Sequence, residues 1–251
     1  INPYDRDEIL WAYAYRLRFL SRCLAQNVFE LKTPPEIIKE AIAKAAKTLE
    51  NVQSRQGSWY HEYNNSFVTA TALAALHEAG STGTQLDQTK IEKGVSSLLS
   101  DRFANGAYPY SNSRRPADQP KAGTARDVAA AAGRMPLCEL GLWYWGKSSD
   151  EALISAIRRS LDLQENLDSA LKYDDHTSRL AYGGFFFWYD MRGRSEAIAR
   201  VKDPAVQSEL KAKQKAIIMA MPEIDGCFVD SHELGRVYGT SMALLSLSNC
   251  E

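Results

Sequence analysis

Three of the four histidines, His61, His176 and His232, stand just ahead of segments rich in small or aromatic apolar residues, and Arg126, Arg179 and Arg236 occupy similar places. If those segments are helices, their starts present unpaired N–H groups and a partial positive charge, which favour an anionic or strongly polar ligand. Guanidinium groups in the same place add bidentate hydrogen bonds to a carboxylate or a diphosphate. On this reading Arg126, Arg179 and Arg236 hold an anion, and His61, His176 and His232 supply hydrogen bonds. Tyr63, Asn64, Asn65, Thr124, Asp127, Thr177 and Tyr238 extend the polar set. Asp174, Asp175 and Glu233 are the carboxylates placed to act as acid or base. The competing explanation is ordinary. Joins between helices are polar everywhere, and such residues cap helices and pair across loops.

Helices must position these groups, because strand signals are nearly absent. Residues 36–53 place Ile37, Ile38, Ala41, Ile42, Ala45, Leu49 and Val52 on one face with charges opposite, the pattern of a surface helix. Thr33-Pro34-Pro35 start it. Segments 86–101, 149–164 and 203–220 read the same way. Between them lie segments of another kind. Residues 66–79, 124–146 and 232–248 are small and apolar nearly all round, and 176–200 is aromatic. A helix without a polar face is buried on all sides. Pro136 and Gly133 predict a kink in the second of these. Including a first helix over about 4–26, the chain carries about nine helices that alternate between half-buried and buried.

The joins repeat as well. A glycine, one residue, an aromatic and a polar stretch precede each buried segment: "RQGSWYHEYNNSF" (55–67), "ANGAYPYSNSRR" (104–115) and "IDGCFVDSHELG" (224–235). "LKYDDHTSRLAYGG" (171–184) fills the same slot without the leading glycine. Repeats of 40–60 residues with two helices each mean stacked helical hairpins. Two concentric layers, buried helices inside, satisfy such an alternation.

"QSRQGSW" (53–59) resembles the Q-x-x-x-G-x-W repeats of the squalene–hopene cyclase and protein prenyltransferase superfamily. The resemblance covers roughly residues 36–250. It implies an all-α fold, an α/α toroid of helical hairpins in two concentric layers, formed by a single domain over 1–251. A full toroid has about six hairpins, and this chain supplies four or five, so an incomplete or open ring is expected. The resemblance also directs two tests. Prenyltransferases hold zinc with Asp, Cys and His, and Asp225 and Cys227 look like the Asp-x-Cys pair. The family's histidine comes from a following repeat, however, so His232 reaches them only through a local loop. Zinc requires three or four ligands, and no resident metal is expected. Class II cyclases protonate an alkene with Asp-x-Asp-Asp. "KYDD" (172–175) supplies Asp174 and Asp175 but has Lys172 in the first position, and a lysine favours the ionised carboxylate.

Other features have plainer explanations. Phe185, Trp188 and Tyr189 recur at the spacing of a packed helix face, which favours core over a carbocation wall. His77 suits a partner for a helix C-terminus. The join over 103–123, with Pro109, Pro116 and Pro120, reads equally as a lid or as a surface loop. Phosphate loops, H-E-x-x-H and nucleophile motifs are absent.

Composition bounds the rest. The 251 residues are 45% hydrophobic and 24% charged, enough for a sizeable core. A net charge of −1 argues against nucleic-acid binding through bulk charge. No apolar run is long enough for a membrane span. The four cysteines are widely spaced and lack a C-x-x-C pair, so reduced buried thiols are expected. A start at Ile1 suggests a trimmed segment and leaves targeting unread, with other domains of a longer chain among the expected partners.

The expectation is therefore a divergent prenyltransferase- and squalene-cyclase-like repeat protein without intact catalytic motifs or a cofactor. It binds a small-molecule or polymeric ligand, or a partner, at the polar mouth of the inner helices. The rival expectation is an enzyme on an isoprenoid or polysaccharide substrate, with Asp175 or Glu233 as acid or base.

Overall fold

The computed structural model describes residues 6–28, 33–61, 63–111, 122–172 and 187–251, with side chains from residue 9 onward and excepting that of Tyr63. Over these residues the chain is all-α apart from one short hairpin. The helices are α1 (Arg6–Ala25), α2 (Pro35–Asn51), α3 (Ser66–Ser81), α4 (Gln88–Asp101), α5 (Ala125–Ala130), α6 (Arg134–Tyr144), α7 (Asp150–Asp162), α8 (Gln164–Asp168), α9 (Phe187–Ala199), α10 (Pro204–Met219) and α11 (Gly235–Ser248). The hairpin pairs β1 (Trp59–His61) with β2 (Tyr63–Asn65), setting Trp59 opposite Asn65 and His61 opposite Tyr63. Eleven helices rather than nine stand among the described residues. The segment 124–146 divides into α5 and α6, and α8 follows α7 as a short extra turn.

The division falls at residues 131–133, ahead of Pro136. The proline sits in the first turn of α6, where its missing N–H costs no hydrogen bond. The break belongs to Gly133, whose lack of a side chain leaves room for Asp190; a Cβ there would collide with the carboxyl.

The chain forms two compact units. The first comprises Ile1–Arg102, Pro109–Pro120 and Tyr144–Lys147; the second comprises Phe103–Tyr108, Lys121–Trp143 and Ser148–Glu251. In the first unit α1 packs on both α2 and α3, α2 packs on α3, and α3 packs on α4. Thirteen residues of α3 are buried, as its small apolar sequence requires. Helix α2 buries Ile38, Ile42, Ala45, Ala46 and Leu49, each large aliphatic contributing about 1.5–3 kcal/mol. Ile37, expected on that face, is 56% exposed. Helix α1 is tied to α3 by Glu78, which accepts from Arg18 at 2.8 Å and Arg22 at 2.7 Å.

In the second unit α9 packs on α7, α10 and α11, and α10 also packs on α11. Helix α9 is buried along nearly its whole length, Trp188 and Tyr189 included, so those aromatics are core. Helix α11 corrects the expectation of complete burial. Only Gly239, Met242, Ala243 and Ser246 are covered, while Val237 is 84% and Leu244 58% exposed. Its apolar composition is spread around the helix, but neighbours reach one side only. The same local arrangement thus occurs in each unit: alternate helices touch (α1 with α3, α9 with α11), and the helix between them packs on both.

The repeated joins are one structure made three times. Ser54, Phe103 and Glu223 each donate their N–H to the carbonyl four residues on, at 2.9, 2.8 and 2.7 Å. The carbonyls of Ser54, Phe103 and Glu223 in turn accept from the N–H of the glycine three residues on, Gly57, Gly106 or Gly226. Those glycines have φ of +93°, +81° and +81°. This is a tight turn closed by a glycine in the left-handed region, where a side chain is strained. The aromatic two residues later is buried each time: Trp59, Tyr108 and Phe228. Trp59 and Phe228 also donate their backbone N–H groups to a threonine of the following helix, Thr69 at 3.2 Å and Thr240 at 3.0 Å. The fourth copy is described only as far as Lys172. None of the four cysteines is in a disulfide, and Cys23, Cys138 and Cys250 are buried. No described helix is long and apolar enough to cross a membrane.

Candidate functional site

The described residues among those singled out from the sequence are distributed over both units. In the first unit the hairpin gathers His61, Tyr63 and Asn65. The His61 Nδ1 accepts from Trp11 Nε1 at a long 3.5 Å, and its ring lies edge-on to Trp11 and Phe67 at 5.7 and 6.4 Å. Asn65 precedes α3 but does not cap it; it is buried and donates to the Tyr110 carbonyl at 3.1 Å. His77 stacks on Tyr144 at 4.4 Å.

In the second unit His232, Glu233 and Arg236 are exposed at the start of α11, and Tyr238 is half-buried. Arg236 pairs with Asp225. Asp225 also accepts from the Cys227 N–H at 3.1 Å, and this bond first, then Arg236, holds its carboxyl below the usual range. Asp225 thus closes its own turn. Among the described residues no group of three or more His, Cys, Asp or Glu side chains could hold a metal ion. Arg126 is exposed in α5, next to a capping box made by Thr124 and Asp127. Asp174, Asp175, His176 and Arg179 lie outside the described residues, as do Tyr182, Phe185 and residues 112–121 of the 103–123 join.

A more concentrated set of charges was not anticipated. It forms within the second unit, where two of the repeated turns meet the starts of α6 and α9. The turn at 103–107 contributes the Tyr108 carbonyl, which accepts from Arg134 Nε at 2.9 Å at the first position of α6. The turn at 223–227 leads to Asp230, which is fully buried. Its Oδ2 accepts from the Trp188 N–H at 2.9 Å, in the first turn of α9. The Trp188 indole donates to the Val229 carbonyl at 2.8 Å, and its ring meets Phe228 edge-on at 5.1 Å. The Asp230 carbonyl accepts from the Lys172 N–H at 2.9 Å. Asp230 therefore caps α9 from another segment, with its negative charge at the positive end of the helix.

Asp190 stands three residues into α9, against Gly133. Its carboxyl lines a cavity with Ala130, Gly133, Arg134, Leu167, Ala170 and Phe187, which has room for about one water molecule. Part of the Asp190 surface remains accessible and lines this cavity, yet the carboxyl is densely enclosed by protein. Burial pushes it up to about 7; Arg134 and Arg194 oppose the shift, and Asp230 adds to it. Near neutral pH the group therefore exists both as a donor and as an acceptor. Arg194, fully buried, is held by Gln214 at 2.7 Å, Ser160 at 3.1 Å and Gln164 at 2.6 Å. Burial lowers it to about 10, with Asp190 acting against the shift. Its hydrogen bonds tie down the far side of α9, so Arg194 is structural, whereas Arg134 and Asp190 face the cavity.

What this centre can do follows from its parts. A carboxyl that titrates near pH 7, a guanidinium beside it and an apolar lining suit a neutral polar group, such as a hydroxyl, that both gives and takes a hydrogen bond. The sequence held one signal for it: Asp190, Arg192 and Arg194 interrupt an otherwise aromatic and small-residue helix. Buried helices carry such charges only where partners exist. Asp230 gave no such signal, since it lies in a stretch that reads as a polar loop.

No protein-family model matches the chain, and no solved structure matches it.

Proposed function

We propose that this chain is a ligand-binding repeat protein of the cyclase- and prenyltransferase-like kind, whose hairpins belong to an α/α toroid. Its ligand is held where buried helices begin. Two features support this reading: the three matching turns, and the packing of alternate helices on one another within each unit. The observation that carries the binding site is the Asp190 carboxyl facing the cavity beside Arg134, with Gly133 leaving room for it. The ligand presents a hydroxyl or a comparably polar group to Asp190 and Arg134. Thermal-shift titration with oligosaccharides, polyols, isoprenoid alcohols and isoprenoid diphosphates tests the reading, using wild type and Asp190→Asn. Stabilisation of wild type by one class, weakened at least tenfold in apparent affinity by the substitution, is the expected result. Equal responses of both proteins to every class would refute it.

A second reading, an enzyme on an isoprenoid or polysaccharide substrate, is favoured by one observation. The Asp190 carboxyl lines the cavity, and burial pushes it up to about 7, the range a general acid or base requires. Here Asp190 takes the role that the sequence assigned to Asp175 or Glu233. Turnover of a substrate from the stabilising class, lost in Asp190→Asn while binding persists, separates catalysis from binding alone.

A further inference from the structure

Asp101 is the last residue of α4 and has no accessible surface. Neither of its carboxyl oxygens has a hydrogen-bond partner among the described residues. A buried carboxylate in that condition is among the costlier groups a fold can carry, whereas the neutral acid is tolerated far better. Its position adds to the penalty, because the carbonyl end of a helix is partially negative.

Among the described residues the neighbourhood offers no relief. Helix α3, which packs on α4, carries His77 and Glu78 as its titratable groups, and Glu78 is bound to Arg18 and Arg22. On α4 itself the charged residues Lys90, Glu92 and Lys93 lie two or more turns away, and Arg102 follows directly in the chain. None of these groups contributes to the state of Asp101: burial alone raises its carboxyl to about 8.

We propose that Asp101 is a proton-operated latch of the first unit: its neutral carboxyl keeps the last turn of α4 docked, and its ionisation releases that turn. The turn is otherwise closed by the Arg102 N–H to Leu99 carbonyl bond at 3.2 Å. The sign follows from linkage. The docked form holds the proton and the released form, open to water, does not. Docking is therefore strongest below the carboxyl's ordinary range and weakens as pH rises from about 4 towards about 8, after which no further loss occurs.

Hydrogen exchange on the whole chain tests this. Between pH 5 and pH 7 the protection of the Leu98–Asp101 amides, corrected for the intrinsic exchange rate, should fall about tenfold per pH unit in wild type. In Asp101→Asn it should stay level. The same pH dependence in both proteins overturns the latch. Carbon-13 titration of the wild-type carboxyls gives a second measurement that does not depend on the variant folding. An Asp101 carboxyl still neutral at pH 6 supports the latch, and one already ionised at pH 5 sinks it.

Discussion

Trp188 and Asp230, forty-two positions apart, are joined by a 2.9 Å bond from the tryptophan N–H to the aspartate Oδ2 inside the second unit. This bond satisfies an N–H in the first turn of α9 that the helix itself cannot. Asp230 thereby ties the third repeated turn to the most deeply buried helix of that unit. Asp230→Ala removes the acceptor and leaves the donor buried. The expected cost is about 1–3 kcal/mol, seen as a lower midpoint in urea with an unchanged slope. Stability within about 0.5 kcal/mol of wild type would mean that the cap carries no weight.

Gly133 and Asp190 share one space. Gly133→Ala places a methyl group against the carboxyl and should destabilise the protein by about 1–3 kcal/mol. In the background of Asp190→Ala the same change should cost less, because the carboxyl that lies nearest is gone and only the contact with the residue 190 Cβ, at 2.7 Å, remains. The measurement is a double-mutant cycle, with a coupling of about 1 kcal/mol or more expected. Additive losses would show that the glycine is needed for some other reason.

The Asp190 carboxyl, pushed up to about 7, binds its proton more tightly in the folded chain than in the unfolded one. Its contribution to stability is complete below about pH 4 and is lost as pH rises towards about 7, by at most about 1.4 kcal/mol per pH unit. The stability of wild type relative to Asp190→Asn should therefore fall across that window and level off above it. A difference that stays flat from pH 4 to pH 8 would place the carboxyl in its ordinary range.

Thr69 and Thr240 perform the same task in two copies of one join, each accepting from the backbone of the aromatic that follows a turn glycine. Replacing either with valine keeps the shape and removes the acceptor. Each should cost about 1 kcal/mol, with Thr69→Val at the upper end because Thr69 is fully buried. Thermal denaturation of the two single variants checks this. A silent Thr69→Val would break the equivalence of the two joins.

The elements were legible because their signals are local. The half-buried helices α2, α4, α7 and α10 declare themselves by 3.6-residue spacing, and Gly57, Gly106 and Gly226 mark turns that only a left-handed residue completes. Burial of α3 also followed from its own composition. Burial of α11 did not, because coverage depends on which neighbours arrive. Val237 and Leu244 are as apolar as residues of α3 and stand in the open. The polar centre was the least legible part. Asp190, Asp230 and the adjacent pair Gly133 and Arg134 come from three places in the chain, and only folding brings them near one another. The histidines and arginines chosen by position include groups with plain employment: Arg236 holds Asp225, and His61 packs among aromatic rings.

The first unit is sewn from three stretches of chain, the last being Tyr144–Lys147. Through it Trp145 reaches the Leu73 carbonyl at 3.2 Å and Tyr144 covers His77. A nascent polypeptide therefore cannot finish that body until residue 147 has cleared the ribosome, by which point two stretches of the second, Phe103–Tyr108 and Lys121–Trp143, have already emerged. Order of translation and order of completion part company here. A fragment cut at residue 102 would present α3 without the two aromatics that close over it.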